Sequence, residues 1–187
     1  MTSRIVICLL FVLGLADCSL APADDWPQWG GPQRDLIWRE KGIVDAFATD
    51  GMLPRVWSSP IAEGYSGPAV ANGKVFVTDR LREEEQERIL CLDANTGKQQ
   101  WVHSYRARYT INYPAGPRTT PTVDDDLVYS IGAQGHLFCL RVADGTVVWS
   151  KQFEDDYGTE LPAWGMASSP LIHSKPFGSS SGRRSRS

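Results

Sequence analysis

Ile89-Leu90-Cys91-Leu92-Asp93-Ala94-Asn95-Thr96-Gly97-Lys98-Gln99-Gln100-Trp101 has a counterpart later in the chain, Leu137-Phe138-Cys139-Leu140-Arg141-Val142-Ala143-Asp144-Gly145-Thr146-Val147-Val148-Trp149. Each copy is an apolar run, a polar turn containing a glycine, and a second run that carries a tryptophan. Cys91 and Cys139, Gly97 and Gly145, and Trp101 and Trp149 are each 48 positions apart. Three correlated spacings argue against a β-sandwich whose strands match by coincidence. Self-similarity at one period marks a repeat architecture.

The repeat extends upstream. Gly64-Tyr65-Ser66-Gly67-Pro68-Ala69-Val70 runs through Ala71-Asn72-Gly73-Lys74 into Val75-Phe76-Val77. Pro117-Arg118-Thr119-Thr120-Pro121-Thr122-Val123 runs through Asp124-Asp125-Asp126 into Leu127-Val128-Tyr129. Asn-Gly between apolar runs is a strong two-residue hairpin signal. The first copy is five residues longer because of an insertion around Leu81 to Glu87. Its charged run, Glu83, Glu84, Glu85 and Glu87, reads as a solvated hairpin tip. Trp164-Gly165-Met166-Ala167-Ser168-Ser169-Pro170-Leu171-Ile172 opens a third copy, and Pro54-Arg55-Val56-Trp57 matches a closing strand. Four strands in a unit of roughly 45 to 50 residues is the size of a β-propeller blade. The expected fold is therefore all-β, a partial propeller of four-stranded antiparallel blades. Glycine permits the reversal at φ > 0, and a tryptophan four residues later can lay its ring over the next blade. Trp57, Gly97, Trp101, Gly145 and Trp149 are the expected docking residues.

Outside the repeat, residues 1–23 read as a secretory signal. Arg4 precedes the apolar run Ile5 to Leu15, and Ala21 and Ala23 flank a cleavage point before Asp24. The run is too short to span a membrane. Lipidation at Cys18 would need a small residue before it, and Asp17 stands there. Residues 24–53 form an N-terminal extension, 54–173 the blades, and 174–187 a basic Ser/Arg/Gly tail of low complexity. The chain has 187 residues, 42% hydrophobic and 22% charged, with a formal charge of −3. That composition is globular and does not suggest nucleic-acid binding. Cys91 and Cys139 read as two buried strand thiols, with a disulfide as the alternative in an exported protein.

Leu92-Asp93-Ala94-Asn95-Thr96-Gly97-Lys98-Gln99-Gln100-Trp101 resembles the tryptophan-docking repeat of the pyrroloquinoline-quinone (PQQ)-like β-propellers. Asp25-Trp26-Pro27-Gln28-Trp29-Gly30-Gly31-Pro32-Gln33-Arg34-Asp35 resembles the mature start of exported members from environmental bacteria. The resemblance covers about residues 25 to 173 and implies fold more than function, because the family mixes quinoprotein dehydrogenases with BamB-type scaffolds. Such rings usually close with roughly seven or eight blades, against about two and a half here. A truncated or frame-shifted product is the expectation, with a functional tail or self-assembly of fragments as alternatives. Open edges would favour self-association.

A quinoprotein site would need PQQ beside Ca²⁺, a ring-stacking Trp, a vicinal cysteine pair and metal-binding oxygens. No Cys-Cys pair occurs, and no catalytic or metal residue can be assigned. The loops before the innermost strands would line the central funnel and carry Tyr65, Arg118 and Trp164, suited to an anionic or flat ligand. Asp93 to Gly97 begins like a calcium loop but reads as a turn. Gly64-Tyr65-Ser66-Gly67-Pro68 approaches a nucleophile elbow but lacks its final glycine and helix. His103, His136 and His173 show no ligand spacing. The sequence thus reads as an exported envelope scaffold that engages a protein or small ligand through blade edges and loops. Its rival is a piece of a PQQ-dependent alcohol dehydrogenase-like enzyme.

Overall fold

A computed structural model of the chain describes residues 24–41 and 53–173. The signal, part of the N-terminal extension and the basic tail lie outside the described residues. Two four-stranded antiparallel sheets follow one another along the chain. The first is built from β1 (Ala69–Ala71), β2 (Lys74–Leu81), β3 (Gln86–Asp93) and β4 (Gln99–Arg106). The second comprises β5 (Thr122–Asp124), β6 (Leu127–Ile131), β7 (His136–Arg141) and β8 (Val147–Gln152). Both meander in chain order. A single turn of helix, α1 (Phe153–Tyr157), follows β8, capped by Gln152 and by the left-handed Gly158.

Local chemistry explains the turns. Asn72 and Gly73 both adopt positive φ, 53° and 70°, as a tight hairpin of the right twist requires. Asp93 caps the next turn, its carboxylate accepting from Asn95 N, Thr96 N and the Thr96 hydroxyl. That carboxylate is satisfied by its own loop, which is turn geometry. Cys91 and Cys139 hold matching places, paired across the ladder with Trp101 and Trp149. Both are buried free thiols.

The sheets pack face to face. One apolar cluster draws Phe76, Ile89, Cys91 and Trp101 from the first sheet and Val123, Val128, Leu140 and Val142 from the second. The opposite face of the first sheet carries a smaller cluster of Val77, Leu90 and Leu92. An apolar set on both faces is what a blade between neighbours requires, since a lone sheet cannot cover itself. Trp101 extends from β4 to the second sheet, lies against Gly145 and donates its indole N–H to Val142 O at 3.0 Å. Trp57 repeats the geometry one unit earlier, lying against Gly97 and donating to Ala94 O at 2.8 Å. Trp149 holds the third equivalent place and is 42% exposed, whereas Trp101 is 8% exposed.

Three features were not readable as such. The segments around Trp57 and after Trp164 form no ladder strand; the second meets β5 and the loop before it through side-chain bonds, Thr122 Oγ1 to Pro170 O and Thr120 N to Ser169 Oγ. The charged insertion is only partly a solvated tip. Arg82, Glu83 and Glu84 are exposed, but Glu87 is fully buried in β3. The extension also joins the fold. Trp26 bridges antiparallel to Val70 of β1, and Pro27 O accepts from Val123 N of β5 at 2.8 Å, so this segment ties the two innermost strands.

Candidate functional site

The hairpin tips β2–β3 and β6–β7 converge with the loops that precede β1, β5 and residue 168. Backbone bonds link them. Arg80 N donates to Glu63 O, Tyr65 N to Pro117 O, Ala107 N to Glu85 O, Asn112 N to Ala163 O and Met166 N to Ala133 O. The docking tryptophans lie at the other end, with the Gly97 and Gly145 turns.

Glu87 anchors the convergence. Its carboxylate accepts the hydroxyls of Tyr105 and Tyr109 and, at 3.0 Å, Ala133 N of the second sheet. A side chain at Gly132 would strike this carboxylate, so the glycine lets the β6–β7 tip approach. Burial, with the charge of Glu87, holds the Tyr105 and Tyr109 phenols far above their ordinary range, so they remain donors. Arg80 stacks over the Tyr109 ring at 3.9 Å and donates to Pro114 O. One position along, Asp79 is fully buried and holds Arg88 through bonds of 2.8 and 2.5 Å, and accepts Ala62 N at 2.6 Å. An aromatic layer of His103, Tyr105, His136 and Phe138 fills the space between β4 and β7, with ring separations of 4.6 to 6.0 Å. Desolvation lowers the proton affinity of His103 and His136.

Beside this cluster lie the residues that the sequence nominated as funnel-lining candidates. Arg118 lies over the Tyr65 ring at 5.3 Å. Its guanidinium also donates to Gly116 O and Asn112 O, each at 2.9 Å, and to Tyr113 O at 2.5 Å, which fixes the loop that carries it. Trp164 does not join that pair. It stacks on Tyr113, with centroids 4.8 Å apart and planes 22° from parallel. Tyr65, Tyr113 and Trp164 are all more than half exposed. Sequence reasoning missed Tyr113, Tyr109 and Glu87. An aromatic-rich loop, Tyr109 to Tyr113, was the available signal for the tyrosines; Glu87 was hidden inside a run of acids.

A calcium and quinone site can be tested against these residues. Among the described residues no three His, Cys, Asp or Glu side chains stand together to hold a metal. The buried carboxylates at this end, Glu87 and Asp79, are committed to tyrosines, backbone amides and Arg88. The cysteines are buried and separate, and burial pushes the Cys91 thiol up to about 11. The described residues therefore do not fit the metal and disulfide parts of such a site. No helix among them is long and apolar enough to cross a membrane.

The family described as outer membrane protein assembly factor BamB matches residues 40–175. The chain is similar to the quinohemoprotein alcohol dehydrogenase of Comamonas testosteroni, at 18% identity and a TM-score of 0.59, over 80% of this chain and 22% of that one. It also matches BamB of Moraxella catarrhalis at 20% identity and a TM-score of 0.40, over 52% of this chain and 27% of that one. The chain thus spans about a quarter of the length of these two structures. No curated protein matches it.

Proposed function

The chain belongs to the BamB family of PQQ-like repeat propellers, and from that premise we propose that it is a non-catalytic binding scaffold of the cell envelope. In this reading residues 1–23 export it, residues 54–173 form its blades, and the funnel-end loops engage a protein partner or a small ligand. The observation that carries the reading is the preorganised funnel end. Arg118 is locked by three carbonyls while Tyr65, Tyr113 and Trp164 present exposed rings. Rigid aromatic and arginine side chains lose little conformational entropy when a partner covers them, which is why they dominate recognition surfaces. Open blade edges add unpaired backbone for strand addition.

The rival is a quinoprotein dehydrogenase fragment whose PQQ and Ca²⁺ are held mostly by other blades. The likeness to an alcohol dehydrogenase supports it at the level of fold alone. Calorimetric titration of the full chain with PQQ and CaCl₂, followed by dye reduction with a primary alcohol, separates the two. The scaffold gives neither heat nor turnover. Saturable PQQ binding with dye reduction would replace it by the enzyme.

A further inference from the structure

A cavity of about 300 Å³ lies between the N-terminal extension, the loop before β5 and the segment 167–169. Its walls are Trp29, Arg34, Arg118, Ala167, Ser168 and Ser169. That volume sits at the small end of ligand sites. Two arginines line one space, and no carboxylate lines it.

Neither arginine has a carboxylate partner among the described residues. Arg34 Nη1 donates to Gln28 Oε1 at 3.2 Å and to Pro170 O at 3.1 Å. Its Nε and Nη2 make no bond to the described residues. Those two atoms form one edge of the guanidinium fork, the edge that matches two oxygens of a carboxylate. Arg118 spends its donors on Gly116, Asn112 and Tyr113 carbonyls, which orient the head but leave its charge without a counter-ion. Both residues are only half-buried, and a cavity lined by one sign of charge concentrates its field. Ser169 Oγ is fixed by accepting Thr120 N at 3.0 Å. Trp29, 51% exposed, adds an apolar wall.

We propose that this cavity binds a small organic acid through a carboxylate held by Arg34 and Arg118. The inference deepens the scaffold reading by naming a ligand class. It also gives the extension a role, since Arg34 belongs to the extension, residues 24–53, and not to a blade. Trp26 and Pro27, bonded to β1 and β5, place that arginine. The seryl hydroxyls serve the second oxygen, and Trp29 covers the carbon chain.

The test is calorimetric titration of the full chain with potassium succinate, succinamide and potassium phosphate at matched ionic strength. The expected result is saturable one-to-one heat with succinate, none with succinamide, and weaker or no heat with phosphate. Arg34→Lys keeps the charge but loses the fork, and weakens succinate binding on the order of 10-fold or more; circular dichroism melting checks that the variant folds. Absence of saturable heat with succinate overturns the proposal, as does equal binding of succinamide. Tighter phosphate binding replaces the carboxylate by a phosphoryl ligand and overturns it too. Unchanged affinity in a folded Arg34→Lys chain removes Arg34 from the site. The three-ligand comparison needs no variant, and it stands apart from the PQQ titration, so the scaffold reading can fail while this one holds.

Discussion

Gly145→Ala tests the blade-to-blade dock directly. Gly145 has φ +74°, and a Cβ there would lie 2.7 Å from Trp101 Cε3 and 2.8 Å from Cδ2. Real Cβ atoms do not come so close, so the indole or the turn must shift. Gly73 is its matched control, with φ +70° and nothing within 4 Å of the added methyl. Both substitutions force an L-residue into the left-handed region, which costs about 1–2 kcal/mol. Only Gly145→Ala adds overpacking, worth about 1–3 kcal/mol. The expected loss is therefore about 1–2 kcal/mol at Gly73 and about 2–5 kcal/mol at Gly145. For a chain of this size each kcal/mol moves the melting temperature by about 2–4 °C. Urea unfolding of the full chain, followed by circular dichroism, reads the difference. Trp101→Ala closes a double-mutant cycle: without the indole, Gly145→Ala should cost no more than Gly73→Ala. Equal costs for Gly73→Ala and Gly145→Ala in the native background would refute the docking argument. So would a Gly145 cost that persists undiminished in the Trp101→Ala chain.

Other consequences are open to measurement. Glu87→Ala should destabilise the chain by about 3–5 kcal/mol in urea titration, because two partly buried phenols and the Ala133 amide lose their acceptor; a loss under 1 kcal/mol would show that Glu87 does not hold the sheets together. His103 and His136 have depressed proton affinity in the folded state, so their contribution is complete above the ordinary histidine pKa, 6.5. It diminishes as pH falls below that value, because the unfolded chain takes up protons first. The melting temperature should drop between pH 7 and pH 5, and His103→Gln with His136→Gln should flatten that part of the profile. Cys91, with its thiol pushed up to about 11, should resist iodoacetamide at pH 8 in the folded chain and react in urea, as read by peptide mass mapping. Rapid labelling of the Cys91 peptide without urea would contradict its burial.

The repeat was legible because strand, turn and dock all use short-range signals. Asn72-Gly73 specifies its hairpin within two residues, and the Gly97 and Gly145 turns stand at fixed distance from Trp101 and Trp149. The family resemblance added the ring geometry that spacing alone leaves open. The site was legible only where a single loop carries it. Tyr65 and Arg118 could be named from their place before β1 and β5, and they do meet. Trp164 could be named too, but its partner Tyr113 belongs to another loop and was not foreseen. Glu87 was misread because four acids within five residues look solvated, and only the fold brings Tyr105, Tyr109 and Ala133 to one of them. Arg34 was invisible as a site residue, since its acceptor on Pro170 is 136 positions away. Strand character around Trp57 and Pro170 was expected from matching sequence alone, yet a ladder also needs backbone pairing, and Pro170 meets β5 through the Thr122 hydroxyl. What the sequence hides here is long-range pairing, which local propensity does not encode.

The bond from Arg34 to Pro170, with those from Trp26 and Pro27 to Val70 and Val123, has a kinetic meaning. Each hairpin in the sheets closes a short loop and can form locally, whereas the extension must wait for partners made much later in synthesis. Closing a span of 136 residues is a late event, opposed by chain entropy before any contact rewards it. Mutations in the extension should accordingly quicken unfolding and leave the refolding rate nearly unchanged. The cavity that Arg34 completes is then the last part of the molecule to appear and the first to be lost.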